Sequence, residues 1–388
     1  MLFFRKRDKQ IKPAIFINCH SDFGGAERRF ARIFNEHLST KTNIKLISNK
    51  STFNILSDRK LVTLKNNTLI LPGGFKKAGR LYQLHHVVNF AFLLVATLRN
   101  KITHIHYPVD PSLYSLFHSF FLSPLGITYS LSIVDSSRVK EDDFSSVRHY
   151  IWKKSIKHCS GIDFLSKGIE ENVTKIFRTS LGQQKTIGIS PCSFTDYSLA
   201  TYSENKDYDL VMMCRLHPKK GHDLFFSALK IIKNRGKHTK IAKIGIFGAG
   251  PLSDQLKSEA SNLTGFDISF GNTDTPINIF AKSKFLLSLQ EDENYPSQAI
   301  LEALSTGTQI IATDVGETYK IVTPEVGTRV PRDPELLADC ILSSIENYHF
   351  DKNKFNTLNS FVTSNHNPTK FGDYLHTIIT DSANLIKS

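Results

Sequence analysis

"YDLVMMCRLHPKKGHDLFFSALKIIK", Tyr208–Lys233, decides the fold. It opens on a near-continuous apolar run, the pattern of a strand buried on both faces. It closes on "DLFFSALKIIK", where apolar residues recur at helical spacing. Between the two stand an arginine, two lysines and a glycine. A strand that gives way directly to a helix is half of a strand–helix–strand unit. Repeated units of that kind imply a parallel sheet with helices on both faces.

The alternation continues in both directions. Downstream, "KIGIFG" (243–248), "DISFG" (267–271), "KFLLSL" (284–289) and "TQIIATD" (308–314) read as strands, with helices beginning near Gly221, Pro251, Pro296 and Pro334. Proline suits the first turn of a helix, where its missing N–H loses nothing. Upstream, "AIFINC" (14–19), "IKLIS" (44–48), "ITHIHY" (102–107), "ITYSLSIVD" (127–135) and "GIDFLS" (161–166) read as strands. "SDFGGAERRFARIFNEHL" (21–38) reads as a glycine turn opening a helix, and "LYQLHHVVNFAFLLVATLRN" (81–100) as a long helix. The expected class is α/β, two doubly wound, Rossmann-like parallel-sheet domains facing a cleft. The polar stretch 193–207 is the expected join. It divides a domain at 1–200 from one at 201–355, with a helical tail at 356–388 packing back toward the first.

At 388 residues, 40% hydrophobic and 22% charged, the chain fits a globular enzyme of two domains and not a disordered protein. Its longest apolar window, Val87 to Leu98, is too short to span a bilayer, which takes about 20 residues, and reads as a core helix. The segment "MLFFRKRDKQ" lacks the apolar core of a secretory signal. The five cysteines are dispersed without metal or redox spacing, as in a reduced, cytoplasmic protein. Charge is divided: the first 200 residues carry +15 and the remainder −2. A basic half beside a near-neutral half implies different partners for the two.

Ligands of open α/β sheets bind beyond the carboxyl ends of strands, so the post-strand segments are the ones to read for chemistry. In "RLHPKKG", Arg215 offers a planar fork of donors and Lys220 a point charge, both suited to phosphate oxygens, and Gly221 permits close backbone approach before a helix N-terminus. An ordinary charged turn is the plain alternative. "FGAGP" places Gly248 and Gly250 in a loop that is either a phosphate approach or simply a tight turn. In "EDENYPSQAILEALSTG", Glu293 ends a loop and Glu302 sits in an otherwise apolar helical run, where a charge is costly unless it is paired or at a site. "IIATDVGE" brings Asp314 and Gly316 back to the same edge.

Taken together, these four segments resemble the retaining glycosyltransferases of family four, group 1, which have the GT-B fold; "GGAERR" (Gly24–Arg29) resembles that family's first strand–helix loop. The resemblance implies that Arg215 and Lys220 hold the donor diphosphate, Glu302 the ribose hydroxyls, and Glu293 the transferred sugar. It adds Gly24 and Gly25 to the binding loop and places His106, after "ITHIHY", near the reacting sugar. "VDSSR" (134–138) is a candidate acceptor contact. One departure is visible: the family separates its two glutamates by seven residues and this chain by eight, so Asn294 competes with Glu293 for the first position.

The implied activity is transfer of a sugar from a UDP- or GDP-linked donor to a glycan or lipid-linked glycan acceptor, in bacterial surface-polysaccharide assembly. No resident cofactor and no metal are expected. Asp207-Tyr-Asp209 spells D-x-D, but ahead of a strand and far from the donor loops. The basic half suggests a peripheral contact with an anionic membrane at its inner face. Two other readings compete: a GT-B nucleotide-sugar epimerase, and a nucleic-acid-binding protein suggested by the charge. The latter lacks helix-turn-helix, zinc or aromatic RNA-binding signatures.

Overall fold

The computed structural model describes residues 10–18, 25–63, 67–73, 82–134, 145–182, 185–293 and 295–385. The chain forms two compact units, Met1–Pro191 with Pro368–Ser388, and Cys192–Asn367.

In the first unit the strands are β1 (Pro13–Phe16), β2 (Lys45–Asn49), β3 (Thr68–Leu71), β4 (His104–Tyr107), β5 (Thr128–Ile133), β6 (Gly161–Phe164) and β7 (Thr186–Ile189). They lie in the order β3-β2-β1-β4-β5-β6-β7, all paired in parallel. The helices are α1 (Gly25–Ile33), extended by a π-helical turn Phe34–Leu38 and a short α2 (Ser39–Lys41), then α3 (Lys50–Asp58), α4 (Tyr82–Arg99), α5 (Leu113–Phe121), α6 (Ser146–His158) and α7 (Lys167–Leu181). Side-chain caps start several of them: Asn49, Ser145 and Ser166 each accept a backbone N–H of the first turn.

The second unit has β8 (Tyr208–Met213), α8 (His222–Asn234), β9 (Ile244–Phe247), α9 (Ser253–Ser261), β10 (Ile268–Gly271), α10 (Pro276–Ala281), β11 (Ser283–Ser288), α11 (Gln298–Ser305), β12 (Gln309–Thr313), β13 (Gly327–Val330), α12 (Pro334–Glu346) and α13 (Lys352–Asn365). Its sheet runs β10-β9-β8-β11-β12-β13, again parallel. Each unit is thus doubly wound and Rossmann-like, with its order reversing at one central pair of strands.

Three expectations change. The units divide at 191/192, ahead of the expected join, because Thr195 and Tyr197 bond within the second unit, to Glu302 and to the His366 carbonyl. The expected tail at 356–388 splits: α13 packs on α11 of the second unit, while a further helix, α14 (Pro368–Asn384), covers β5, β6 and β7 of the first. Finally, the apolar window Val87–Leu98 is not a core helix. Phe90 and Leu93 are buried, but Val87, Val95 and Leu98 are each about half exposed, at 51%, 51% and 49%. Among the described residues no helix is long and apolar enough to cross a membrane.

Candidate functional site

In the second unit the sheet order reverses between β8 and β11, and the loops after β8, β11 and β12 meet there. Gly221 is the pivot. Its φ is +81°, and a Cβ there would stand 1.9 Å from the Leu289 carbonyl oxygen, so only glycine lets the β8–α8 loop press on the chain leaving β11. The Lys219 carbonyl accepts the Glu291 N–H at 3.0 Å, and the Lys220 ammonium bonds the Gln290 side chain. The Thr313 hydroxyl, at the end of β12, donates to the Gln290 carbonyl at 2.6 Å. One short segment, 289–291, therefore binds both flanking loops together.

Arg215 is exposed beside this junction and makes no ion pair among the described residues. The Cys214 thiol is pushed up to about 11 by burial, with Lys220 and Arg215 pulling the other way, so positive charge is felt at this strand end. α8 and α11 both begin without a side-chain cap, whereas Asp333 and Asp351 cap α12 and α13. Uncapped first turns direct N–H groups outward, toward an anion.

Glu302 is half-buried on α11 and accepts the Thr195 hydroxyl at 2.9 Å. The costly charge in an apolar run is thus met by a donor brought from the start of the unit. Glu293 accepts the Glu317 backbone N–H at 3.1 Å and packs its stem on Gly316, where a Cβ would come within 2.7 Å of it. Asp314 pairs with Arg329 at 2.5 Å. The turn after β12 therefore fixes Glu293 by its backbone. Pro296 does not begin α11: it follows a cis peptide bond, and Ser297 is the N-cap.

The glycines of the second loop are required by close backbone packing. A Cβ on Gly248 would lie 2.0 Å from the Cys214 carbonyl, and one on Gly250 2.2 Å from the Leu216 carbonyl. The two loops run side by side, with Leu216 N–H donating to the Ala249 carbonyl at 3.0 Å. These glycines allow backbone to touch backbone, and so set the angle of the Arg215 loop.

His106 is corrected. It is fully buried in β4, shares hydrogen bonds with Ser130 and Ser132 at 2.8 and 3.1 Å, and lies under Phe30. Burial lowers its pKa to about 3, so it stays neutral. Parallel strands buried on both faces must satisfy polar side chains internally. Here His104, His106, Ser130, Ser132 and Asp163 do so in one chain of bonds across β4, β5 and β6. Gly25 is exposed at the first position of α1. Gly24, Asn294 and residues 135–138 of "VDSSR" lie outside the described residues.

The Asp207/Asp209 pair is structural. Asp209 pairs with Lys284 at 2.7 Å and accepts the Ala242 N–H at 2.5 Å, while Asp207 pairs with Lys282 at 3.2 Å. Sequence reasoning missed Thr195 and Gln290 as the residues that hold Glu302 and Lys220. Thr195 and Gln290 lie 107 and 70 positions from their partners, beyond any local pattern.

Two parallel-sheet, Rossmann-like domains are the architecture of the GT-B class of glycosyltransferase folds. The comparisons agree. Residues 207–347 match the family model described as Glycosyl transferases group 1, so the second unit carries a glycosyltransferase group 1 domain. Among solved structures, the chain resembles Anabaena HepE in complex with UDP, with TM-score 0.70, 13% identity, and coverage of 95% of this chain and 99% of that one. Sucrose-phosphate synthase from Thermosynechococcus elongatus gives TM-score 0.69 and 14% identity over 95% and 98% of the two chains. The apo lipopolysaccharide outer core galactosyltransferase WaaB gives 0.61 and 13% over 95% and 99%. No curated protein matches the chain in sequence.

Proposed function

We propose that the chain is a retaining glycosyltransferase that moves a sugar from a nucleoside-diphosphate sugar to an acceptor hydroxyl, without metal or resident cofactor. The observation that carries this reading is the placing of Arg215 and Lys220 in the loop after β8, of Glu293 in the loop after β11 and of Glu302 on the α11 that follows, at the strand-order reversal of the second unit. Arg215, Lys220 and the uncapped first turns of α8 and α11 would receive the diphosphate, Glu302 the ribose hydroxyls and Glu293 the sugar. In the step itself, the acceptor oxygen bonds to the anomeric carbon as the bond from that carbon to the phosphate oxygen breaks. The acceptor proton passes to the departing phosphate. Charge grows on the diphosphate as this happens, and fixed cations stabilise it without reorganising. HepE is described with UDP and with UDP-glucose, which favours a UDP-linked donor for this chain. WaaB's description favours surface-polysaccharide assembly as the setting.

The test is calorimetry with UDP and GDP, followed by product analysis with the corresponding sugar nucleotides and a glycan acceptor. Binding of a nucleoside diphosphate and transfer with retained anomeric configuration are expected in the presence of EDTA. Abolition by EDTA would return Asp207 and Asp209 to consideration. A donor epimerised in the absence of acceptor would make the enzyme an epimerase.

A further inference from the structure

α4 is apolar on its outward side as well as its inward one. Its outward stripe is Leu84, Val87, Phe92, Val95 and Leu98, exposed by 57, 51, 37, 51 and 49%. Its inward face buries Phe90 and Leu93 in the core and, beside them, the polar side chains of His85, His86, Asn89 and Thr97. The Asn89 amide bonds His85, and the Thr97 hydroxyl bonds the Leu93 carbonyl, while the buried Asn89 Oδ1 has no hydrogen-bond partner among the described residues. A helix on a water-facing surface keeps its outward side polar. The stripe continues onto α5, where Phe121, 56% exposed, packs its ring 6.0 Å from Phe90 of α4. Phe120 and Leu125 extend it, at 47 and 58%. Contiguous exposed apolar surface of this kind marks a docking site.

Charge says what docks. Residues 82–134 contain a single carboxylate, Asp110, and it is buried. α6, tied to α5 by the Ser115–Ser155 hydroxyl bond at 2.9 Å, has no acidic residue and carries Arg148, Lys153, Lys154 and Lys157. Arg99 and Lys101 close the end of α4, both exposed. An apolar stripe whose exposed charges, among the described residues of α4, α5 and α6, are cations complements a negatively charged, oily surface. A second copy of the chain would set the same cations against each other, with no carboxylate on these helices to answer them.

We propose that the α4–α5 face, with the cationic α6 beside it, lies on an anionic phospholipid bilayer, with α4 in the plane of the interface. This goes beyond sugar transfer and holds whatever the second unit transfers. It also differs from a purely electrostatic contact, because the apolar stripe supplies a salt-resistant part.

The experiment is flotation of the full chain with vesicles of phosphatidylglycerol and of phosphatidylcholine, with light scattering of the free protein. Wild type should float with phosphatidylglycerol vesicles and lose only part of its binding as salt rises. The double variant Val95→Glu/Leu98→Glu changes two exposed side chains, so its thermal transition and UDP binding should match wild type. Its bound fraction should fall tenfold or more. Lys153→Glu/Lys157→Glu should weaken binding mainly at low salt. Failure of wild type to float with phosphatidylglycerol vesicles would overturn the proposal, as would equal flotation of the Val95→Glu/Leu98→Glu variant. A dimer in free solution that this variant dissolves would also overturn it, and would give the face to a second copy.

Discussion

The Thr195 hydroxyl donates to Glu302 at 2.9 Å, holding a half-buried carboxylate on α11 from the first residues of the second unit. If Glu302 grips ribose hydroxyls, each charged hydrogen bond lost on Glu302→Ala costs about 1.5–3 kcal/mol, or roughly 10- to 150-fold in nucleotide affinity. Thr195→Val keeps the carboxylate and loses one neutral donor, about 0.5–1.5 kcal/mol, so its effect should be smaller. Calorimetry with UDP checks both; unchanged affinity in Glu302→Ala defeats the assignment.

Lys220 is held by Gln290 at the strand-order reversal. Its charge matters most when the diphosphate departs. Lys220→Ala should therefore lower kcat by more than it raises the donor dissociation constant, with a loss of about 10²–10³-fold in turnover if it acts as a fixed transition-state donor. Steady-state kinetics beside equilibrium binding separates the two. Equal losses in both would make Lys220 a ground-state binder.

Gly221 and Gly126 both have positive φ, +81° and +75°, yet differ in surroundings. A Cβ at Gly126 meets nothing within 4 Å, whereas one at Gly221 meets the Leu289 carbonyl at 1.9 Å. Gly126→Ala should show only left-handed strain, about 1–2 kcal/mol. Gly221→Ala adds forced separation of two loops and should lower Tm well beyond the roughly 2–4 °C that each kcal/mol represents in units of this size. Nucleotide binding should fall with it. Similar Tm losses in the two variants would mean that the loops part freely.

The first unit should weaken on acidification. Burial holds His106 and His118 down to about 3, and His104 well below its usual value. A histidine depressed in the fold stabilises while neutral. That contribution is present above the unfolded value near 6.5 and is lost as pH falls toward the folded value, on the order of 1 kcal/mol per pH unit for each. Asp163 has the opposite sign, since burial raises it: its contribution is present below the unfolded value and lost as pH rises through the folded one. Three histidines outweigh it between pH 6.5 and the carboxylate range. Melting curves from pH 7.5 to 5 should show the slope, and His106→Gln should make it shallower. A flat profile would contradict the neutral, buried cluster.

The alternation of strands and helices was legible because parallel strands buried on both faces leave apolar runs, and because glycine and proline punctuate them. The loops proposed to receive the donor stand out in the sequence as a set, since Arg215, Lys220 and Glu293 follow strands and Glu302 lies on the next helix. The sequence left two purposes open for Gly248 and Gly250, because a glycine needed for backbone contact and one needed for a phosphate are written alike; the backbone contact is the one visible in the fold. His106 misled for a related reason. Alternation puts it on a face of β4, but which face α1 and α14 cover depends on pairings far along the chain. The α4 stripe was read as core because apolar composition is blind to direction.

α14 returns to the first unit after the whole of the second has been made, so the second unit is an insertion in the first. The returning helix is structurally consequential: Tyr374 donates to buried Asp163 at 2.7 Å, and a Cβ on Gly161 would strike Ser382. During synthesis at about 5–20 residues per second, β7 leaves the ribosome roughly ten to forty seconds before α14 does. Throughout that interval β5, β6 and β7 lack the helix that covers them, and Asp163 lacks its tyrosine. The nascent chain thus holds an unfinished sheet while the group 1 domain folds behind it. A helper that shields exposed apolar strands would be most useful in that interval, and a message that stalls between codons 191 and 368 would yield a first unit without its cover.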